Sequence, residues 1–348
     1  MTPTLPFAPP AAPPHAEISL CVIAKNEAHC LEGMLVSVKN VVHEIIVVDT
    51  GSDDATPDIA KAAGARVAKY AWQSDFAAAR NFSLSLATKP WILVLDADER
   101  LDLNCGHLLG ELTQKDRCAY FINRRHYTTS LAHQELTLLD EEHPARSIGA
   151  VGYFSTADVR LFCNHPALKF KGAVHESVED TLPSAGVNAL RTNITIHHYG
   201  HLAPHEQLQR KHEFYVTLAE HRAKQAPDDW RSWYVLASEL QGIGHHAEAI
   251  TSLNRASHLA PAQAVIWRQL GISLAHSGDP INGLLALQKA LAIDPSCATT
   301  WNAIGGVFLD IQDLGQAETC FTTVLNSKPN DLTALSGLEK VRALRNRG

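Results

Sequence analysis

The chain is short of positive charge, of paired cysteines and of long apolar runs, and each shortage closes off a class of function. Its 348 residues carry 30 Lys and Arg against 37 Asp and Glu, a formal charge of -7. That balance provides no polycationic surface, so nucleic acid is not expected as a partner. Seven cysteines, at 21, 30, 105, 118, 163, 297 and 320, are an odd number with no C-x-x-C pair. Several sit in apolar runs, where Cys acts as a small hydrophobe, and the usage fits a reducing cytoplasm. No apolar run approaches the roughly 20 residues that span a bilayer. An integral membrane enzyme is therefore not expected, while peripheral contact with the inner membrane stays open. The opening "MTPTLPFAPPAAPPHA" is rich in Pro and Ala and lacks both a basic start and a continuous apolar stretch. It reads as a flexible extension, residues 1–16, and not as a signal peptide.

What the chain does have is 45% hydrophobic residues, enough to build cores in two or three domains. In the C-terminal third, Pro227, Pro261, Pro295 and Pro329 recur every 34 positions, and Trp233, Trp267 and Trp301 share that interval. Leu236, Leu270 and Ile304, then Ala237, Gly271 and Gly305, then Ala249, Gly283 and Ala317 keep the same register. Two residue types with one period mark a repeat array, which here resembles the tetratricopeptide repeat. The repeating Trp and Leu are expected in the core, with small residues leaving the gaps they fill and Pro ending each unit. Three units precede a capping helix over 331–347. Such arrays bind a polypeptide partner, self-associate or act as extensions, and the sequence does not choose among these.

The N-terminal two thirds alternate strand and helix. Apolar runs appear at "ISLCVIA" (18–24), "EIIVVDT" (44–50), "ARVAKYA" (65–71) and "WILVLDA" (91–97), separated by helix-compatible segments. This pattern predicts parallel strands with crossover helices, whose ligands sit beyond the carboxyl ends of the strands. Three strand ends carry acids or amides: "KNE" after the first, "DTGSDDAT" in the second and "DADE" in the last. Each has a purely structural reading, for Ser52 or Asp53 could cap the helix holding Pro57. Three on one sheet edge favour a shared ligand site.

With "ISLCVIAKNEAHCLEGMLVSV", "EIIVVDTGSDDAT", "FAAARNFSL" and "WILVLDADERL" in that order, residues 17–200 resemble the family 2 glycosyltransferases. The resemblance implies an α/β fold of GT-A type, Rossmann-like with a mostly parallel sheet, followed by an all-α tetratricopeptide domain. It divides the chain into the extension 1–16, a GT-A domain 17–203, a connecting helix 204–227 and repeats with a capping helix over 228–348. It further implies transfer of a sugar from a nucleotide sugar. Ala24, Asn26, Glu27 and Asp49 would hold base and ribose, and Asp49 would suit the imide of uridine. Arg80 would face the diphosphate; otherwise it is a solvated helix residue.

For the Asp-x-Asp of "DADE", the resemblance implies Asp96 toward the ribose and Asp98 toward a divalent cation, Mn or Mg. Hard cations take carboxylate and phosphate oxygens and stabilise a departing diphosphate. Strand alternation would turn Ala97 away and put both acids on one side. Asp98 and Glu176, in "GAVHESV", are the expected catalytic carboxylates, with Glu176 as the base of an inverting transfer; Asp158 and residues 140–142 are alternatives. Glu176 also reads as a carboxylate on a solvated turn. His198, in "HHYGHLAPH", would be a third metal ligand, while that run matches no structural zinc module. Thr50 stands where many members have a second Asp. Gln-x-x-Arg-Trp is absent, so one sugar per encounter is expected. Together with "RLFCNHPALKFKGAVHESV", "HHYG" and the tetratricopeptide tail, the chain resembles bacterial members that glycosylate lipopolysaccharide core sugars or peptide side chains. A tetratricopeptide scaffold with an inactive sugar-nucleotide domain is the competing reading. A nucleotidyltransferase would need a Gly-rich basic loop where "AKNEAH" stands.

Overall fold

A computed structural model describes residues 17–115, 117–130 and 136–346; the expected extension 1–16 and the last residue of the capping helix lie outside them. In chain order the N-terminal part runs β1 (Ile18–Ala24), α1 (Leu31–Val38), β2 (Glu44–Asp49), α2 (Thr56–Ala62), β3 (Arg66–Lys69), α3 (Phe76–Leu86), β4 (Trp91–Val94), β5 (Glu99–Leu101) and α4 (Gly106–Leu112). Then follow β6 (Cys118–Thr128), the short β7 (Thr137–Leu138), β8 (Gly152–Cys163), the one-turn α5 (Leu182–Ala185) and β9 (Asn188–His198). The nine strands form one sheet, in the order β3-β2-β1-β4-β8-β6-β9-β5 with β7 on β8. β1 is parallel to β2 and β4, and β2 to β3, as the alternation predicts. Antiparallel pairing enters where β8 joins β4.

The parallel strands β1, β2 and β4 read as apolar runs because both of their faces are covered. Leu20, Val22, Val47 and Leu93 point into one core layer with Leu31, Met34 and Val38 of α1. Cys21, Ile46, Val48, Ile92 and Val94 point into the other with Ala77 and Leu84 of α3. This is the period of two expected of strands. Ala24 pairs with Asp49, so β1 and β2 end level and their loops emerge together.

Eight helices follow: α6 (His205–Gln225), α7 (Trp230–Gly242), α8 (His246–Leu259), α9 (Ala264–His276), α10 (Pro280–Ile293), α11 (Ala298–Asp310), α12 (Leu314–Ser327) and α13 (Leu332–Arg345). The starts of α7, α9 and α11 are 34 positions apart, as are those of α8, α10 and α12. Leu236, Leu270 and Ile304 are buried. The tryptophans meet the expectation of core in part, packing against it without being fully buried. They are half-buried, and their indole N–H groups donate to the carbonyl of the preceding repeat proline: Trp233 to Pro227 (2.9 Å), Trp267 to Pro261 (2.8 Å) and Trp301 to Pro295 (3.0 Å). An indole has both an apolar body and a donor, and here the donor fixes where the ring sits.

By contacts the described residues form two compact units. One comprises residues up to His126, Ser155–Gly172 and Glu176–Gly200; the other comprises Tyr127–Phe154, Ala173–His175 and residues from His201 on. The second unit thus draws on two segments that the sequence division assigns to the first domain. No helix among the described residues is long and apolar enough to cross a membrane.

Candidate functional site

At the ends of β1 and β2 the two loops are laced together. Asn26 adopts a left-handed backbone, φ 59°, a conformation Asn tolerates better than most residues. Its N–H donates to Ser52 Oγ (3.0 Å) and its side-chain oxygen accepts from Asp53 N (2.9 Å). Glu27 N donates to Thr56 Oγ1 (2.7 Å) and Ala28 N to Asp54 Oδ2 (3.1 Å). Asp49, 4% exposed, accepts from Ser52 N (2.9 Å), and Ala24 O accepts from Thr50 N (3.0 Å). The residues singled out in sequence at the ends of β1 and β2 therefore meet in one place. The start of α2 differs from expectation: its N-cap is Ala55, without a side-chain cap bond, and Asp54 just before it accepts from Thr56 N (2.9 Å).

The "DADE" segment departs from strand geometry. β4 ends at Val94, and Glu99 N donates to Asp96 O (3.1 Å) across a turn. Alternation therefore does not apply; Ala97 is buried in the core, and the two acids reach different partners. Asp96 meets guanidiniums: Arg80 Nη2 bonds its Oδ1, and Arg160 and Arg124 lie 3.4 and 4.0 Å from its Oδ2. Burial alone would push its carboxyl up, but Arg80, Arg160 and Arg124 hold it well below the usual carboxylate range. Glu99, fully buried, accepts from Asp96 N (2.9 Å) and pairs with Arg124 (3.1 Å) and Arg160 (3.4 Å).

Arg80 is 2% exposed. It stands on α3, whose cap Asp75 accepts from Ala78 N (2.9 Å) and whose Ala77 and Ala79 let the helix sit close on the sheet. Besides Asp96 it bonds Leu95 O (3.4 Å) and, through Nε, Glu176 Oε1 (3.0 Å). Arg80 thus faces carboxylates and neither solvent nor open space. Glu176 is carried by a loop closed by the Lys171–Ser177 pair, whose N–H groups donate to each other's carbonyls (2.8 and 3.0 Å). Asn81 fastens that loop to α3, exchanging hydrogen bonds with the Phe170 backbone at 3.0 and 2.8 Å.

Asp98 meets an imidazole. His198 Nε2 lies 3.2 Å from Asp98 Oδ2, with the side chains 12 and 19% exposed. Gly200 keeps the space beside them open: a Cβ there would collide with Asp98 Oδ2 and lie 2.8 Å from His198 Nε2. A carboxylate oxygen and an imidazole nitrogen facing one gap suit Mn or Mg as a partial ligand set, completed by phosphate and water. Glu27, His29 and Cys30 also bring donor atoms within 4.8 Å. They fit a cation less well, because burial and then the bond to Glu27 push the Cys30 thiol up and keep it protonated.

Sequence reasoning missed Arg124, Arg160, His126, Thr156 and Asn81. Arg124 and His126 on β6, and Thr156, Asp158 and Arg160 on β8, are spaced by two, the signal of one polar strand face. Of the alternatives for the base, Asp158 pairs with Arg124 (2.8 Å), while residues 140–142 are exposed and belong to the other unit.

Comparison with known proteins finds matches in both parts of the chain. The family described as "Glycosyl transferase family 2" matches residues 19–165, and a tetratricopeptide repeat matches residues 231–263. A TPR repeat-containing protein of Synechococcus elongatus is 37% identical over 240 residues, 66% of this chain and 52% of that protein. The SPbeta prophage-derived glycosyltransferase SunS of Bacillus subtilis is 27% identical over 240 residues, 68% of this chain and 52% of SunS. The chain spans about half the length of these curated relatives. A crystal structure of MamA protein covers 41% of this chain and 79% of its own, at 19% identity and a TM-score of 0.36. Residues 19–165 are thus a family 2 glycosyl transferase domain, which this chain joins to tetratricopeptide repeats.

Proposed function

We propose that the chain is a non-processive, inverting glycosyltransferase that uses a nucleotide sugar, best matched by a uridine diphosphate sugar, and a divalent cation. The observation that carries this reading is the meeting of Asp98 and His198, 100 positions apart in sequence, around the gap kept by Gly200. A cation bound there supplies a Lewis acid for the charge that develops on the departing diphosphate. Asp49, Ala24, Asn26 and Glu27 supply the floor for base and ribose, and the lacing of the two loops fixes that floor before the donor arrives.

Asp96 and Arg80 act behind this floor. Their ion pair holds the turn that presents Asp98, and it holds Glu176 through Arg80 Nε. Glu176 is the group that takes the acceptor's proton from the face opposite the leaving group. The acceptor is a peptide, a glycan or a lipopolysaccharide sugar, and the helical repeats serve a polypeptide partner or a second copy of the chain. The seven free cysteines support a cytoplasmic setting. A screen of nucleotide sugars by mass spectrometry, with Mn and with a chelator, tests the reading. Release or transfer of one sugar only when Mn is present is the expected result. Failure to bind or consume any donor would favour the scaffold reading instead.

A further inference from the structure

His126 has no part in the reading above, yet it is 5% exposed and sits directly opposite His198 in the β6–β9 pairing. The two Nδ1 atoms are 2.8 Å apart, with the rings edge to face at 4.8 Å. On its other side, His126 Nε2 lies 2.8 Å from Thr156 Oγ1, and that hydroxyl lies 3.3 Å from Asp158 Oδ2. With the 3.2 Å contact from His198 Nε2 to Asp98, five residues make one chain with a carboxylate at each end.

Two neutral imidazole nitrogens at 2.8 Å share one proton, so the tautomer of each ring dictates that of the other. Two arrangements of protons are open to the chain, and each leaves one end contact without a proton. In the first, His198 Nε2–H donates to Asp98, His126 Nδ1–H donates to His198, and the Thr156 hydroxyl donates to His126 Nε2. In the second, the Thr156–His126 and His126–His198 bonds run the other way, and no proton lies between His198 Nε2 and Asp98. Thr156 donates to Asp158, His126 Nε2–H donates to Thr156, and His198 Nδ1–H donates to His126 Nδ1. Only the second leaves a lone pair on His198 Nε2 beside the Asp98 carboxylate.

We propose that His126 is a positioning residue for a cation site: it accepts the Nδ1 proton of His198, and thereby turns Nε2 into a ligand, with Thr156 and Asp158 anchoring the far end. The inference rests on the cation role given to His198 above. Partners of this kind, behind a metal-binding histidine, typically change metal affinity 10–100-fold when removed.

The test is Mn(II) alone, added to the full chain and followed through the electron paramagnetic resonance signal of the free ion. His126→Phe should weaken binding by about 10–100-fold. His126→Asn, whose side-chain oxygen can accept at the Nδ1 position, should recover most of it. A folded His126→Phe that binds as wild type does would overturn the inference and leave the proposed function standing. Equal binding by wild type and His198→Ala would remove the cation role of His198 itself. Should His126→Phe fail to fold, nitrogen-15 spectra of wild-type histidines decide. Saturating Mg(II) should populate the Nδ1–H form of His198, and a His198 that stays Nε2–H contradicts the proposal.

Discussion

The two units of this chain bury carboxylates against different partners. In the sheet unit Asp96 and Glu99 are held by Arg80, Arg124 and Arg160. In the helical unit Glu239, 4% exposed on α7, is held by His175 (2.8 Å) and His212 (3.0 Å). Arginine keeps its charge at every accessible pH and donates in a fixed fork, whereas an imidazole offers either a charge or a single neutral donor. The sheet unit therefore commits its acids permanently to structure. Asp98, one residue beyond Asp96, is set apart by facing histidine.

That contrast can be broken at its strongest point first. Arg80→Met would leave Asp96 and Glu176 without their shared partner, at a cost of about 3–5 kcal/mol for breaking a buried pair. Urea unfolding measures it, and a loss below about 1 kcal/mol would class the cluster with surface ion pairs. The second prediction concerns acid. Burial alone would raise the carboxyl of Glu239, but the bonds from His175 and then His212 pull it down to about 2. A depressed carboxyl stabilises the fold above its unfolded value, about 4.3, and that stability is lost as the pH falls toward 2. Wild type should exceed Glu239→Gln in urea midpoint at pH 6, with the gap narrowing from pH 4 to 3; a pH-independent gap would contradict the imidazole account.

The smallest effect sharpens the packing side. A Cβ on Gly271 would lie 2.7 Å from the Gly283 carbonyl oxygen and 2.6 Å from Leu287 Cγ. Ala is the better helix former by about 1 kcal/mol, yet overpacking costs about 1–3 kcal/mol. Gly271→Ala should therefore lower the thermal midpoint slightly, and a rise would show that α9 and α10 can separate at no cost.

The same contrast explains what the sequence made legible. The helical unit repeats locally, so a 34-residue period in Pro, Trp and small residues delivers its helix pairs before any contact is known. In the sheet unit, β1, β2 and β4 are covered on both faces and read as apolar runs. β6, β8 and β9 do not, because they carry Arg124, His126, Thr156, Asp158, Arg160 and His198. Polar residues interrupt the apolar period in the strands that build the site. Asp96 and Asp98 were visible as a motif, but a motif does not tell which acid arginine will claim. Arg80 shows the limit, since its exposure depends on Glu176, 96 positions away.

The central claim is that Asp98 works through a cation while Asp96 works through arginine. The most direct measurement compares Mn-dependent turnover of uridine diphosphate sugars by wild type and Asp98→Asn, with thermal midpoints recorded for both. A drop of about 10²–10³-fold with an unchanged midpoint is the predicted result. Wild-type turnover in Asp98→Asn would contradict the account.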